Sequence, residues 1–341
     1  MRYSIKLSYS GAPFCGWQRQ ASAPSVQETL ETALGTLLGH PVPVVGAGRT
    51  DTGVNAVGYI ASFDAEGPLD GHFLCYKLNA ILPSSITVHS IRQEGPEFHA
   101  RFDAGRREYT YFLHRCKDPF MQDRSFYCGY PELDFDIMNK AASMLVGTHC
   151  FSCFEKVGSD NKTSDCTVFE AYWKAYEPTH AALMGYGKEE SVGTAPYWYF
   201  RISADRFLRN MVRAIVGTLL EVGRGKRSLE DFASLILPPT GSSSGSKTVP
   251  PSGSSFGSQT VPPSGFQTVS TSVFPSVSPS STPNVSPNVS PTVPPFVSPS
   301  ISHSTASSVS PASPDRNQVP PRCRAGESVP GYALFLSQIK Y

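Results

Sequence analysis

The chain has 341 residues, 40% hydrophobic and 17% charged, and its 29 Lys and Arg against 28 Asp and Glu leave a net charge of +1. That length exceeds what one compact core ordinarily needs, so at least two packed units are expected. The balanced total excludes a globally basic polyanion binder, yet a local basic face would still hold phosphate, because such contacts depend on where Lys and Arg sit.

The opening residues MRYSIKLSYSG have no charged segment leading into an apolar run, so no signal peptide is expected. They alternate instead, Tyr3, Ile5, Leu7 and Tyr9 against Ser4, Lys6 and Ser8, as a half-buried strand does. Ser25-Val-Gln-Glu28 is a capping box, in which hydroxyl and carboxylate each satisfy an orphan amide. Val26, Leu30, Ala33, Leu34, Leu37 and Leu38 follow it at helical spacing. A short strand over 42–45 leads into the loop GAGRTDTG, and a strand over 59–63 follows. A helix over 70–82 stops before Pro83, and a strand covers 86–91.

A second, similar half begins with Tyr109, Tyr111 and Leu113 on one strand face. A helix over 136–146 is expected to end at Gly147 as its C′ residue. Strands over 168–176 and 197–204 frame a loop rich in Gly and Glu; a long helix over 207–222 and a shorter one capped by Ser228 follow. Residues 333–341 alternate as a last strand. Strands interleaved with a few helices predict an α+β fold, a mixed or mostly antiparallel sheet with helices on one face.

From 238 to 321 the composition turns to Ser, Pro, Thr and Val, with the near-repeats KTVPPSGS and QTVPPSGF. So much Pro removes backbone donors, and so little Leu or aromatic content cannot offset the entropy of ordering. A disordered insertion between the last helix and the last strand is expected. The chain has no apolar stretch of membrane-spanning length, and its 8 cysteines form no disulfide framework. A soluble cytoplasmic protein with free thiols is therefore expected. His149, Cys150, Cys153 and Cys166 lack a second close pair of ligands, so no metal is expected.

Three segments carry chemistry. In Gly46-Ala-Gly-Arg-Thr-Asp-Thr-Gly53, Arg49, Thr50 and Asp51 stand between glycines. Arg49 can contact phosphate, stack on a base or pair with the carboxylate, and an oriented carboxylate is a competent nucleophile. Taken alone, the same residues also fit an ordinary surface turn. In His99-Ala-Arg-Phe-Asp-Ala104 and Arg107-Glu-Tyr109-Thr-Tyr111, aromatics interleave with Arg, which suits a nucleobase and its phosphate, or simply a sheet face. Arg206, Arg209 and Arg213 fall at i, i+3 and i+7, which predicts a basic stripe on one face of the long helix. Arg213 lies within an apolar run where an unpaired charge is costly, and Asp51 is a candidate partner from the other half.

Together these segments resemble the TruA family of tRNA pseudouridine synthases. The likeness rests on residues 48–54, His99-Ala-Arg-Phe102 with Arg107-Glu-Tyr109, and Phe207-Leu-Arg-Asn-Met-Val-Arg213 running on to Gly217. Gly16-Trp-Gln-Arg19-Gln20 with Ser25-Val-Gln27, and Arg324-Ala-Gly326 with Val329-Pro330, support it. Asn55 stands where many members carry His, and Val329-Pro330-Gly331 where many carry Ala-Pro-Ala.

The resemblance implies ferredoxin- or RRM-like halves, 1–104 and 105–237 plus 322–341, with an active-site cleft between them. It implies conversion of uridine to pseudouridine at positions 38 to 40 of the tRNA anticodon stem-loop by a homodimer, with no metal or cofactor. By position, Asp51 resembles the nucleophile, Arg49 the residue that enters the RNA, Tyr109 the one that stacks on the extruded uracil, and Arg213 the partner of the aspartate. Arg19, Thr50, Arg206 and Arg209 are further candidates for contacting the RNA. Two other readings remain: a non-catalytic RNA-binding or tRNA-chaperone protein on the same scaffold, and the same chemistry on another structured RNA.

Overall fold

The computed structural model describes residues 1–159, 161–184, 196–239 and 324–341. All of them lie in one compact unit, Met1–Ser243 with Pro314–Tyr341. A second unit, Ser244–Ser313, and nearly all of the expected 238–321 insertion fall outside the described residues.

The first half runs β1 (Arg2–Tyr9), α1 (Val26–Leu38), β2 (Val44–Gly46), β3 (Asn55–Asp64), α2 (Gly71–Ile81) and β4 (Ile86–Gln93). Tyr3, Ile5, Leu7 and Tyr9 are buried along one face of β1, as expected; on the other face Lys6 is exposed and Ser8 half-buried, but Ser4 is buried too, bonding its hydroxyl to Glu94. The Ser25 hydroxyl accepts from the Glu28 N–H at 3.3 Å, and α1 then buries Val26, Leu30, Ala33 and Leu34. Asp70 caps α2 by accepting from His72 and Phe73, both at 3.0 Å.

The second half runs β5 (Arg106–His114), β6 (Phe126–Tyr127), α3 (Phe135–Ser143), β7 (Gly147–Cys150), β8 (Asp165–Ala175), α4 (Thr179–Met184), β9 (Tyr197–Ala204), α5 (Met211–Gly223), α6 (Leu229–Ala233) and β10 (Leu334–Lys340). Two expectations change here. The long helix begins at Met211, not at 207, because Asn210 adopts the left-handed region with φ 66, which a helix cannot propagate through. Arg206 and Arg209 therefore precede the helix, and the three arginines form no stripe along it. Gly147 does not cap α3, which ends at Ser143; with φ 117 it opens β7 instead.

Among the described residues the strands form one sheet in the order β4-β1-β3-β10-β5-β9-β8-β7, with β2 on β3 and β6 on β5. Its pairings are antiparallel except β10 with β3 and β5 with β6. Each half repeats one pattern. Calling the four principal strands of a half 1 to 4 in chain order, both run 4-1-3-2: β4-β1-β3-β2, then β10-β5-β9-β8. Helices follow strands 1 and 3 each time, which is the split βαβ arrangement. The last strand of the second half, β10, lies between β3 and β5 and so joins the halves.

Candidate active site

The link from β2 to β3, residues 47–54, crosses a floor of buried aromatics. Trp17 stacks on Tyr59 with ring centroids 4.1 Å apart, and Tyr9 packs on both. The Tyr59 hydroxyl donates to the Gly48 carbonyl. The Thr50 hydroxyl is buried and meets the Tyr9 hydroxyl at 2.9 Å, and the Thr50 carbonyl accepts from the Trp17 N–H at 3.3 Å. The Asp51 carbonyl accepts from the Val54 N–H at 3.1 Å, and Gly53 closes the turn with φ 76, a value that favours glycine. The backbone of this loop is thus fixed, and the Asp51 side chain projects from it 24% exposed.

Arg213, third residue of α5, reaches Asp51 from the other half, its Nη1 3.6 Å from Oδ2. Its Nε donates to the Val329 carbonyl at 2.7 Å, and the Val329 N–H returns a bond to the Arg213 carbonyl at 3.2 Å. Met211, Val212, Ala214, Ile215 and Val216 around it are buried, so a carboxylate and a carbonyl together compensate a charge in apolar surroundings. Tyr109 on β5 is buried with the edge of Phe207 against it, 5.0 Å between centroids at 86°. Burial, reinforced by the Asp51 charge and opposed by Arg107, raises the Tyr109 phenol well above its ordinary value.

Arg107 ties the motifs together. Its Nη1 donates to the Ala104 and Asp205 carbonyls at 2.9 and 2.7 Å. Its Nη2 donates to Ala47 and Arg101 at 3.1 and 2.6 Å. One guanidinium therefore bridges the Asp51 loop, the 99–104 segment and the lead-in to α5. Burial lowers its pKa from the ordinary arginine value. Asn55 makes a similar clamp: its side-chain oxygen accepts from the Gly11 N–H at 2.8 Å and its amide donates to the Tyr332 carbonyl at 2.7 Å. Gly331 lies so close to the loop that a Cβ there would strike the Thr52 carbonyl oxygen. The two departures from the family pattern, Asn55 and Gly331, thus sit on either side of the same backbone contact.

The remaining candidates lie apart from this centre or beneath it. Arg49 is exposed, and its Nε donates to the Gln18 side chain at 3.3 Å. Arg19 is 62% exposed, 3.6 Å from both Glu28 and Glu31, which are surface pairs worth little to stability. Arg206 is half-buried, with its N–H on Asp205, and Arg209 is exposed before the helix. The structure thus brings Asp51, Arg213 and Tyr109 together, puts Thr50 under the loop, and leaves four arginines around it. The sequence marks Arg107 only as part of a motif and Asn55 and Val329 only as departures from a pattern; the contacts each makes here come from the structure. Cys150, Cys153 and Cys166 are buried, and burial pushes the Cys166 thiol up to about 12.

Residues 141–257 match the family model described as tRNA pseudouridine synthase. Three curated relatives, each named tRNA pseudouridine synthase A, cover most of the chain. The one from Porphyromonas gingivalis is 42% identical over 247 residues, 72% of this chain and 91% of the relative. That from Bacteroides thetaiotaomicron is 46% identical over 69% of this chain and 81% of its own. That from Parabacteroides distasonis is 45% identical over 69% and 86%. Identity of this degree over two thirds of the chain and most of each relative, on a fold of two like halves, places this chain in the tRNA pseudouridine synthase A family.

Proposed function

We propose that this protein converts uridine to pseudouridine in tRNA, at positions 38 to 40 of the anticodon stem-loop, with Asp51 as the nucleophile. The observation that carries the reading furthest is the approach of Asp51 and Arg213, one from each half, to 3.6 Å beside the buried Tyr109. The reaction is an isomerisation. The N1–C1′ bond breaks, the uracil turns, C5 bonds to C1′, the C5 proton leaves and N1 gains one, so atoms balance without an oxidant or reductant.

A stacked base is out of reach, and extruding it costs a few kcal/mol. Arg49, exposed at the rim of the loop, fills the space the base leaves and contacts phosphate. Asp51 then acts on C1′ or C6, or removes a sugar proton. Arg213 orients its carboxylate and supplies opposite charge at a position fixed by the Val329 carbonyl. Tyr109, neutral and buried, holds the base and keeps water out. Arg206, Arg209 and Arg19 are read as phosphate contacts around the cleft. Thr50 is read as a support of the loop, since its hydroxyl is buried on Tyr9.

The working unit is read as a cytoplasmic homodimer, which sedimentation of the purified protein tests. The division into 1–104, 105–237 with 322–341, and 238–321 is part of the same reading. Replacing 238–321 by a short Gly/Ser link is expected to leave soluble, active protein. The primary test is tritium release from tRNA labelled at uridine C5. Release by wild type and none by Asp51→Ala supports the function and the nucleophile together. Retained tRNA binding without release from either protein would favour the non-catalytic reading. Release from a structured RNA in preference to tRNA would move the substrate.

A further inference from the structure

The mechanism leaves unused one exposed aromatic carried on a closely tied backbone turn. Phe102 is 73% exposed, yet the turn that bears it is tied on every side. His99 Nδ1 accepts from the Arg101 and Phe102 N–H groups at 3.2 and 3.3 Å, so the imidazole caps the turn. Asp103 accepts from the His99 N–H at 2.9 Å and returns its own N–H to the His99 carbonyl at 3.1 Å. The Tyr341 hydroxyl donates to the Ala100 carbonyl at 2.7 Å, and Arg107 holds the Arg101 carbonyl. The capping ring of His99 lies 4.3 Å from the Phe102 ring, and the Arg101 guanidinium sits over the Phe102 ring, 5.5 Å from its centroid.

A ring left in water gains nothing from being fixed in place, unless what it meets is planar. Three features point to the same occupant. The ring offers a π-face, and base–aromatic stacking accepts any base. Arg101, over the ring in the free protein, supplies positive charge for a neighbouring phosphate once a base takes its place. The same Arg107 Nη2 that holds Arg101 also holds Ala47, four residues before Asp51, so the platform is bracketed to the catalytic loop. Extruding one nucleotide strips a stacking neighbour from those flanking it, and an aromatic at the rim replaces that lost stack.

We propose that Phe102, fixed by the His99-capped turn and flanked by Arg101, is a stacking platform for an unpaired nucleotide of the substrate RNA next to the one extruded toward Asp51. This rests on the proposed function. It gives Phe102 a part in holding the distorted RNA and none in the chemistry.

The test is direct titration of the full-length protein with tRNA, run beside turnover and thermal unfolding. Phe102→Ala is expected to weaken tRNA binding about 5- to 100-fold, the span of one lost base–aromatic stack. Turnover at saturating RNA and the melting temperature should be unchanged. Phe102→Leu, which keeps the apolar bulk without the π-face, should lose as much as Phe102→Ala. Phe102→Trp should keep wild-type affinity, and tRNA should quench its added emission beyond any change in the wild type. Arg101→Gln should lower the slope of log Kd against log salt by about one phosphate contact, while Phe102→Ala leaves that slope alone. Wild-type affinity in Phe102→Ala or Phe102→Leu overturns the platform. Failure of the functional reading shows elsewhere, as a wild type that binds tRNA but releases no tritium, and the titrations then still decide the platform.

Discussion

The two halves of the molecule share one strand order and use it differently at one connection, the link from strand 2 to strand 3. In the first half this is the eight-residue passage from β2 to β3, which presents Asp51 and is fixed from below by Tyr9, Trp17 and Tyr59. In the second half it is the passage from β8 to β9, which holds α4 and is fastened through His180, whose Nε2 lies 2.8 Å from Asp118. The second half supplies the cleft with a strand residue, Tyr109, and a helix residue, Arg213. The proposed reactive group thus sits on a short, tightly held link, and the residues it meets come from regular elements of the other half.

That division of labour can be broken at several points. The largest effect is expected at the link itself. Asp51→Asn should lower turnover by a factor on the order of 10⁴ or more while leaving the circular dichroism spectrum and tRNA affinity in place. Activity surviving in this variant would remove the link from the chemistry. Next comes the partner across the cleft. Arg213→Lys keeps the charge but loses the fork that meets Asp51 and Val329 at once, and should cost about 10²- to 10³-fold in kcat with a smaller change in KM. An effect confined to KM would make Arg213 an RNA contact instead.

Arg107→Met removes the donor shared by four carbonyls and should destabilise the protein by about 2–4 kcal/mol in urea unfolding. Asn55→Ala strands the Gly11 N–H, and Gly331→Ala drives a Cβ into the Thr52 carbonyl; each should cost about 1–3 kcal/mol. If either leaves stability and turnover untouched, the contact between the loop and the 331–333 turn is not what sets the loop.

The smallest effect tests the other link. Burial pushes the Asp118 carboxyl up, but the Phe120 N–H, Tyr197 and His180 outweigh it and the net direction is down. A carboxyl lowered on folding stabilises above its unfolded value, about 4, and that contribution is lost as pH falls through the folded value. The melting temperature of wild type should therefore exceed that of Asp118→Asn at neutral pH, with the gap closing below about pH 4. A gap that persists in acid would place the stabilisation elsewhere.

Much of this was legible in the sequence because it is local. Ser25 and Asp70 mark helix starts by their own side-chain chemistry, and the alternation of Tyr3 to Tyr9 needs no partner to be read. Arg213 was legible for another reason: an arginine inside an apolar run demands a counter-charge, and few carboxylates stand in a fitting loop. The illegible features are non-local or conformational. Asn210 is a residue that tolerates the left-handed region, but the apolar spacing from Phe207 to Arg213 reads straight through it, so Arg206 and Arg209 were placed on a helix they precede. The bond of Thr50 to Tyr9 spans 41 residues and that of Asn55 to Tyr332 spans 277, distances over which spacing carries no information.

The position of β10 has a consequence for synthesis on the ribosome. This strand supplies the seam between β3 and β5, and the segment just before it supplies the carbonyl that holds Arg213. Asp51 and Arg213 are translated long before either. A nascent chain stalled ahead of residue 324 therefore carries Asp51 and Arg213 but has neither seam nor anchor to set them against each other.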